Sequence, residues 1–213
     1  MRLPLEPHLR SAGLSPIKAM AKRSFDLVIA IIMLPFILPI SVILVGLAKI
    51  FNERGLFIQN RVGRYGETFK LYKVCSMKQV EGVTTTVTAD NDPRITKFGR
   101  FIRKTKLDEL PQIFNVITGD MSFVGPRPDV LDAYQDVKEE ESGFLCVRPG
   151  ITGIASVAFK DEEWLLSSVD DSEAYNRTVI FPKKVKLNND YIAEHSFLLD
   201  IKIMIQTVIK VFK

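Results

Sequence analysis

The run LVIAIIMLPFILPISVILVGLA, Leu27–Ala48, carries no charge and a single hydroxyl, that of Ser41. At ~1.5 Å of rise per residue it is long enough, as a helix, to cross the ~30 Å hydrocarbon core of a bilayer. Two other readings compete with a membrane segment. A secretory signal is disfavoured because the run is longer than the usual apolar core of such a peptide and no A-x-A-like cleavage site follows it. A buried core helix is disfavoured because apolarity on every side is excessive for a chain of 213 residues.

Two details argue against a straight span. Pro35 and Pro39 sit near the middle of the run, where each removes a backbone donor and favours a kink. Basic residues flank both ends: Lys18, Lys22 and Arg23 before it, Lys49, Arg54, Arg61 and Arg64 after it. A spanning helix carries its positive excess on one side only. A broken centre with two positive flanks fits a helix-break-helix that enters one leaflet and returns to the cytoplasmic face. The C-terminal stretch SFLLDIKIMIQTVIKVFK supports surface residence. It sets Phe197, Leu198, Ile201, Ile205, Val208 and Phe212 along one helical face, with Lys202, Lys210 and Lys213 available to anionic headgroups. Packing of that face on the protein's own core is an equally good reading of the pattern.

The rest of the composition narrows the chemistry. Lys and Arg number 29 against 25 Asp and Glu, a net charge of +4 that points to anionic partners: a phosphorylated substrate, an anionic lipid surface or nucleic acid. Cys75 and Cys146 are far apart and form no CxxC, so a reduced compartment without a disulfide framework is expected. His8 and His195 are the only histidines, which argues against a His-rich metal site and against a Ser-His-Asp triad. Nucleophilic or acid–base chemistry therefore falls to carboxylates.

Residues 51–195 read as one mixed domain. GLFIQNRVG and TFKLYKVCSM alternate as two strands of a hairpin turned at Gly63–Gly66. EGVTTTVTADNDPRI reads as a loop, TKFGRFIRK and LDELPQIFNVITG as helices, the second stopped by Gly119. SFVGPRPDV and CVRPGITGIA, punctuated by Pro and Gly, read as loops, and the acidic DEEWLLSSVDDSEAYNRTVI and KKVKLNNDYIAEHS as helices. Basic residues recur in rigid settings: Arg127 between Pro126 and Pro128, Arg148 before Pro149-Gly150, and Lys73 at a strand end. Proline fixes φ and so lowers the entropy lost in aiming a guanidinium at a phosphate. A structural ion pair is the alternative for any one of them. Neither GxxxxGK[ST] nor GxGxxG occurs.

In TKLDELPQIFNV, Thr105–Val116, two adjacent carboxylates precede a proline. The plain reading is a helix start, with Thr105 and Asp108 at capping-box spacing and Pro111 in the first turn. In such a turn the helix dipole keeps a carboxylate ionised and attracts phosphate oxygens. An ionised Asp108 is a competent nucleophile toward phosphorus, and Glu109, about 100° round the helix, is placed to hold Mg²⁺ against the same phosphates.

Taken together, KRSFDLVIA, FIQNRVGRYGETFKLYKVCSM, DPRITKFGRFIRKTKLDELPQIFNVITGDMSFVGPRP and VRPGITG resemble the bacterial sugar transferase family, the monotopic phosphoglycosyl transferases, from about Lys22 to the C-terminus. The resemblance implies an α+β fold: a mostly helical cytosolic domain with a short β-hairpin, an N-terminal re-entrant membrane segment and a C-terminal amphipathic interfacial helix. The corresponding divisions are a lead-in over 1–21, the membrane helix over 22–50 and the catalytic domain over 51–213. It also implies transfer of a sugar 1-phosphate from a UDP-sugar to undecaprenyl phosphate on the cytoplasmic leaflet of the bacterial inner membrane, with release of UMP. Asp108 corresponds to the family's nucleophile, which carries a phosphosugar-aspartyl intermediate, and Glu109 to its Mg²⁺ ligand. Lys73, Arg103, Arg127 and Arg148 match positions expected to contact phosphate or nucleotide. The family's usual Ser-Pro break is replaced here by Leu38-Pro39 with an additional Pro35, leaving Ser41 as the nearby hydroxyl. The chain resembles the minimal form of the family, without added helices or domains, and nucleic acid is not among its expected partners. The identity of the sugar and any homo-oligomerisation are left open, with Trp164, Tyr175 and the surroundings of Phe159 as candidates for a specificity surface.

Overall fold

The structure, a computed structural model, describes residues 13–80, 88, 92–135 and 137–211. Its first element, α1 (Pro16–Asn52), opens on a Ser15 cap whose Oγ accepts from the Lys18 amide, with Pro16 in the first turn. α1 remains helical through Pro35 and Pro39 and ends at Glu53 in the left-handed region, φ 68°. The sequence suggested two helices about a break. Proline removes one donor per ring and can bend a helix without interrupting its backbone conformation. Ser41 Oγ is buried and makes no hydrogen bond, so it does not take up a carbonyl released by either proline.

One stripe of α1, Asp26, Ala30, Ile37, Ser41, Leu44, Ala48 and Asn52, is buried against the rest of the protein. Its other faces expose large apolar side chains, among them Ile32, Phe36, Ile43 and Ile50. Among the described residues α1 is the one helix long and apolar enough to cross a membrane. Ala30 and Ile37 pack with Leu71, Ile113, Val116 and Met121; Leu44 and Ala48 pack with Val74, Cys75 and Ile102.

The hairpin forms as its alternation predicts. Antiparallel strands β1 (Leu56–Val62) and β2 (Thr68–Val74) pair Phe57 with Lys73 and Arg61 with Phe69. The single turn of 3₁₀ helix between them carries Tyr65 at φ 59°. The loop expected at Glu81–Ile95 lies mostly outside the described residues.

α2 (Lys97–Lys104) is capped by Thr96, whose Oγ1 accepts from Gly99. The next segment departs from expectation. Leu107–Gln112 is a 3₁₀ helix that leads into α3 (Ile113–Thr118). Thr105 forms no capping box with Asp108: its hydroxyl donates back to Phe101 O at 2.8 Å and so closes α2. Lys106, at φ 57°, makes the turn between the helices, a left-handed conformation costing ~1 kcal/mol for a residue with a side chain. Gly119 ends α3 at φ 95°, as its position predicted.

The two Pro/Gly segments read as loops are instead a short parallel pair, β3 (Ser122–Val124) and β4 (Gly150–Thr152). Glycine permits it: a Cβ on Gly150 would lie 2.1 Å from the Gly125 nitrogen. The acidic stretch breaks into α5 (Glu162–Ser167) and α6 (Ser172–Tyr175), after the short α4 (Ile154–Ala158). A π-helical turn, Asn176–Ile180, joins α6 to α7 (Phe181–Ala193), and α8 (Phe197–Val211) closes the chain. α8 buries Asp200 and Ile203 and exposes Leu198, Ile205, Val208 and Ile209. Phe212 and Lys213 of the expected apolar and basic faces lie outside the described residues, and Lys210 is engaged with the Val157 carbonyl.

Candidate active site

The 3₁₀ turn that carries Asp108 and Glu109 is held to the hairpin by a buried side chain. Asn115 accepts from the Tyr72 amide at 3.2 Å and donates to the Lys70 carbonyl at 2.8 Å, completing the edge of β2 with an amide. The docking brings Glu109 to Lys73, whose Nζ lies 3.1 Å from Oε1. From the opposite side the β3–β4 pair delivers Arg127, just beyond Gly125-Pro126. Its NH2 is 2.5 Å from Glu109 Oε1 and its NH1 3.3 Å from Oε2. Both carboxylates are buried, Asp108 4% and Glu109 7% exposed, and they line a cavity of about 2110 Å³ together with Lys73, Arg103 and Arg127.

The two neighbours are electrostatic opposites. Burial would raise Glu109, but Arg127 and Lys73 outweigh it and hold its carboxyl well below the usual range. Burial pushes Asp108 above its ordinary value, with Lys73 opposing and the Glu109 charge adding to the rise. Its Oδ1 has no hydrogen-bond partner. The dipole argument therefore fails for Asp108, because desolvation of a carboxylate outweighs a six-residue 3₁₀ turn. Lys73 is itself lowered by burial, against the pull of Glu109.

Arg103 lines the same cavity but is tied to Glu163 of α5, with its Nε buried and unpartnered. Arg148 is not brought to the carboxylates. Its Nε donates to the Gly119 carbonyl at 2.8 Å, next to Arg23, which holds Val116 O and Ile117 O. It thus caps α3 and belongs to the support of the site rather than its wall. Trp164 and Phe159 line the cavity; Tyr175 is not among its lining residues.

Arg61 was read from sequence only as a flanking charge, yet it lines the cavity and pairs with Asp129 at 2.7 Å. Strand parity was the available signal. The β1–β2 register sets Arg61, Gln59 and Phe57 on the face shared with Lys73. Asn115 was missed too; the sign was a lone amide inside the apolar IFNVI run, completely buried in the fold.

A divalent cation is a question of donors. Among the described residues no group of three or more His, Cys, Asp and Glu side chains gathers to hold one. Mg²⁺ does not need such a cage; it retains waters and takes one or two carboxylates plus substrate phosphates. Asp108 Oδ1 is unpartnered, and Glu109 Oε2 has a single 3.3 Å contact with Arg127 NH1, so the donor set fits a cation carried largely by a diphosphate.

The fold and cavity define a protein with a long apolar helix laid against an α+β domain, its buried carboxylate pair ringed by cations suited to phosphate groups. The chain belongs to the bacterial sugar transferase family, whose model matches residues 17–213. It is 36% identical over 217 residues to the UDP-glucose:undecaprenyl-phosphate glucose-1-phosphate transferase of Escherichia coli K12, covering 99% of this chain and 44% of that protein. It is 38% identical over 202 residues to galactosyl transferase CpsE of Streptococcus agalactiae, covering 88% of this chain and 41% of the relative. With the exopolysaccharide production protein ExoY of Sinorhizobium fredii it shares 32% identity over 215 residues, 93% of this chain and 88% of the relative. The chain thus spans less than half the length of the first two and most of the third.

Proposed function

We propose that this protein transfers a sugar 1-phosphate from a UDP-sugar to undecaprenyl phosphate at a membrane surface, through a phosphosugar-aspartyl intermediate and with release of UMP. Asp108 carries the reading: a buried carboxylate with one unpartnered oxygen, on a cavity wall beside cations already neutralised in part by Glu109. The donor and acceptor classes are supported by the name of the Escherichia coli relative.

In the first half-reaction Asp108 attacks the phosphorus that bears the sugar. The bond from that phosphorus to the bridging oxygen breaks, and UMP departs with the oxygen. In the second, a phosphate oxygen of undecaprenyl phosphate attacks the same phosphorus and the bond to Asp108 breaks. The products are the polyprenyl diphosphate sugar and the free carboxylate. Burial makes the Asp108 carboxylate more basic and so a better nucleophile once ionised, while Lys73 favours the ionised form. Lys73, Arg127 and Arg103 offset repulsion between that carboxylate and the diphosphate. Glu109 would hold Mg²⁺, which would supply further neutralisation of phosphate charge. A covalent intermediate lets a soluble donor and a lipid acceptor use one site in turn, which suits a protein held at the headgroup plane. We read α1 as re-entrant, bent at Pro35 and Pro39, and the exposed face of α8 as interfacial, with the catalytic domain on the cytoplasmic side.

The test is incubation of the purified protein in nanodiscs with Mg²⁺ and a panel of UDP-sugars, without lipid acceptor. UMP release and a sugar-phosphate adduct on Asp108, found by mass spectrometry and lost in Asp108→Asn, are the expected results. Release of UDP instead would show glycosyl transfer. If no UDP-sugar gives UMP or adduct, with undecaprenyl phosphate present as well, the proposal is refuted.

A further inference from the structure

Three arginines converge on the C-terminal end of α3. Arg23 of α1 donates to Val116 O at 2.5 Å and to Ile117 O at 3.0 Å, and its NH2 would lie 3.4 Å from a Cβ on Gly119. Arg148 donates through Nε to the Gly119 carbonyl. Arg64, in the hairpin turn, donates through Nε to the carbonyl of Cys146, two residues before Arg148, and its guanidinium lies 4.4 Å over the Tyr65 ring. Among the described residues none of the three pairs with a carboxylate. Two acids close by are engaged elsewhere: Asp120 accepts from Thr118 and Asn115, and Asp26 from the Phe123 amide.

A helix end offers about half an elementary negative charge, and α3 has only six residues, so three guanidinium charges stay largely unbalanced. Burial and the like charges of Arg64 and Arg23 lower the Arg148 guanidinium below its ordinary value. Arg64 and Arg148 each use one donor, at Nε, and their terminal nitrogens make no hydrogen bond among the described residues. A guanidinium anchored at Nε keeps an end-on fork of N–H groups, the geometry that takes two oxygens of a phosphate. All three side chains are partly exposed. Arg23 sits one helical turn before Leu27, where the uncharged run of α1 begins. At the same level of α1, Phe25 meets Phe197 of α8 edge-on, with centroids 4.8 Å apart, next to the exposed Leu198. The cluster therefore borders the apolar surface of α1 and α8, where a lipid would carry its phosphate. We propose that Arg23, Arg64 and Arg148 form a site for the phosphodiester headgroup of an anionic glycerophospholipid, separate from the Asp108 cavity. None of the three lines that cavity, so the inference stands without the transferase reading. Phosphatidylglycerol suits the site better than phosphatidylcholine, whose own cation would meet three like charges.

The experiment is native mass spectrometry of the full chain in detergent micelles, titrated separately with phosphatidylglycerol, phosphatidylcholine, undecaprenyl phosphate and inorganic phosphate. The expected result is one retained phosphatidylglycerol, bound at least about fivefold more tightly than phosphatidylcholine and weakened about three- to tenfold in Arg64→Gln. Arg64→Gln leaves the Arg23 and Arg148 contacts with α3 in place, and its Tm reports that it is folded. If it does not fold, Arg64→Lys, which keeps the charge but not the fork, decides: a partial loss supports the site, and unchanged binding overturns it. Lys202→Gln, on the exposed side of α8, should leave the binding as it is. An equal loss in Lys202→Gln, or equal binding of the two phospholipids, would reduce the site to diffuse surface charge and overturn the proposal. Inorganic phosphate bound as tightly as phosphatidylglycerol would make it a free-anion site. Undecaprenyl phosphate bound more tightly, with the same dependence on Arg64, would assign the cluster to a polyprenyl phosphate. Either result overturns the proposal.

Discussion

Adjacent carboxylates with opposite electrostatics have opposite effects on stability when neutralised. Glu109→Gln keeps the shape of the side chain but strands Lys73 and Arg127, which contact the carboxylate at 3.1 Å and 2.5 Å. Breaking a buried pair from one side costs ~3–5 kcal/mol. The lower end applies, because the Arg127 side chain is 38% exposed and partly screened by water. At ~2–4 °C per kcal/mol for a chain of this size, ~3 kcal/mol lowers Tm by about 6–12 °C. Asp108→Asn removes a charge that burial disfavours and that has no partner on Oδ1, so a gain of ~0.5–2 kcal/mol is expected, a rise of about 1–8 °C. The pH windows also differ. Glu109, depressed below 4.5, stabilises above that value, and its contribution disappears as pH falls through the depressed range. Asp108, raised above 3.8, withdraws stability as pH rises through its folded pKa, so the advantage of Asp108→Asn vanishes toward pH 3.8. Differential scanning fluorimetry in nanodiscs at several pH values reads both effects. Equal destabilisation by the two substitutions at neutral pH, or an unchanged Tm for Glu109→Gln, would refute the electrostatic account.

UMP release should decline on the acid side as Asp108 protonates, at a pH above the ordinary carboxylate value, because only the ionised form attacks phosphorus; a pH–rate profile of the first half-reaction checks it. Glu163→Gln frees the Arg103 guanidinium from its internal anion, so KM for the UDP-sugar should fall two- to fivefold in steady-state kinetics, an effect of ~0.5–1 kcal/mol. Arg148→Ala removes a cap on the Gly119 carbonyl and should lower Tm by ~2–6 °C, from ~1–1.5 kcal/mol, while leaving KM for the donor within twofold.

Local signals carried much of this architecture. Alternation in FIQNRV and FKLYKV signalled the hairpin, and Gly119 ended α3 because its left-handed φ fits there. Asp108, Glu109, Lys73 and Arg127 were identified in the sequence, and the fold brings all four to one cavity wall. What escaped were features that depend on distant pairing. β3 and β4 each have three residues, too few for periodicity, and they exist because Gly125 and Gly150 let backbones meet across 25 positions of chain. Thr105 looked like a cap for the Asp108 turn because spacing does not reveal that the preceding helix claims its hydroxyl. Arg148, set beside a proline as Arg127 is, is taken by the Gly119 carbonyl, a partner fixed only in three dimensions.

The packing of α1 bears on how the protein meets a membrane. Its buried stripe runs from Asp26 to Asn52, ~39 Å of helix at ~1.5 Å per residue, and the hairpin, α2 and α3 lie against it. The hydrocarbon core is only ~30 Å thick. Were α1 to cross it upright, Ala30, Ile37 and Leu44 would draw their partners into lipid, and with them the edge of β2 that carries Lys70 and Lys73. A charged side chain at the bilayer centre costs at least ~2.5–3.5 kcal/mol, and open strand edges are not tolerated there. An oblique or re-entrant placement avoids both costs, because the exposed faces of α1 enter the lipid while the stripe and its partners stay at the surface. Under the proposed function, that placement would also set the Asp108 cavity at headgroup depth, where a polyprenyl phosphate presents its phosphate. The helix proposed as the anchor would then also fix the height of the proposed nucleophile.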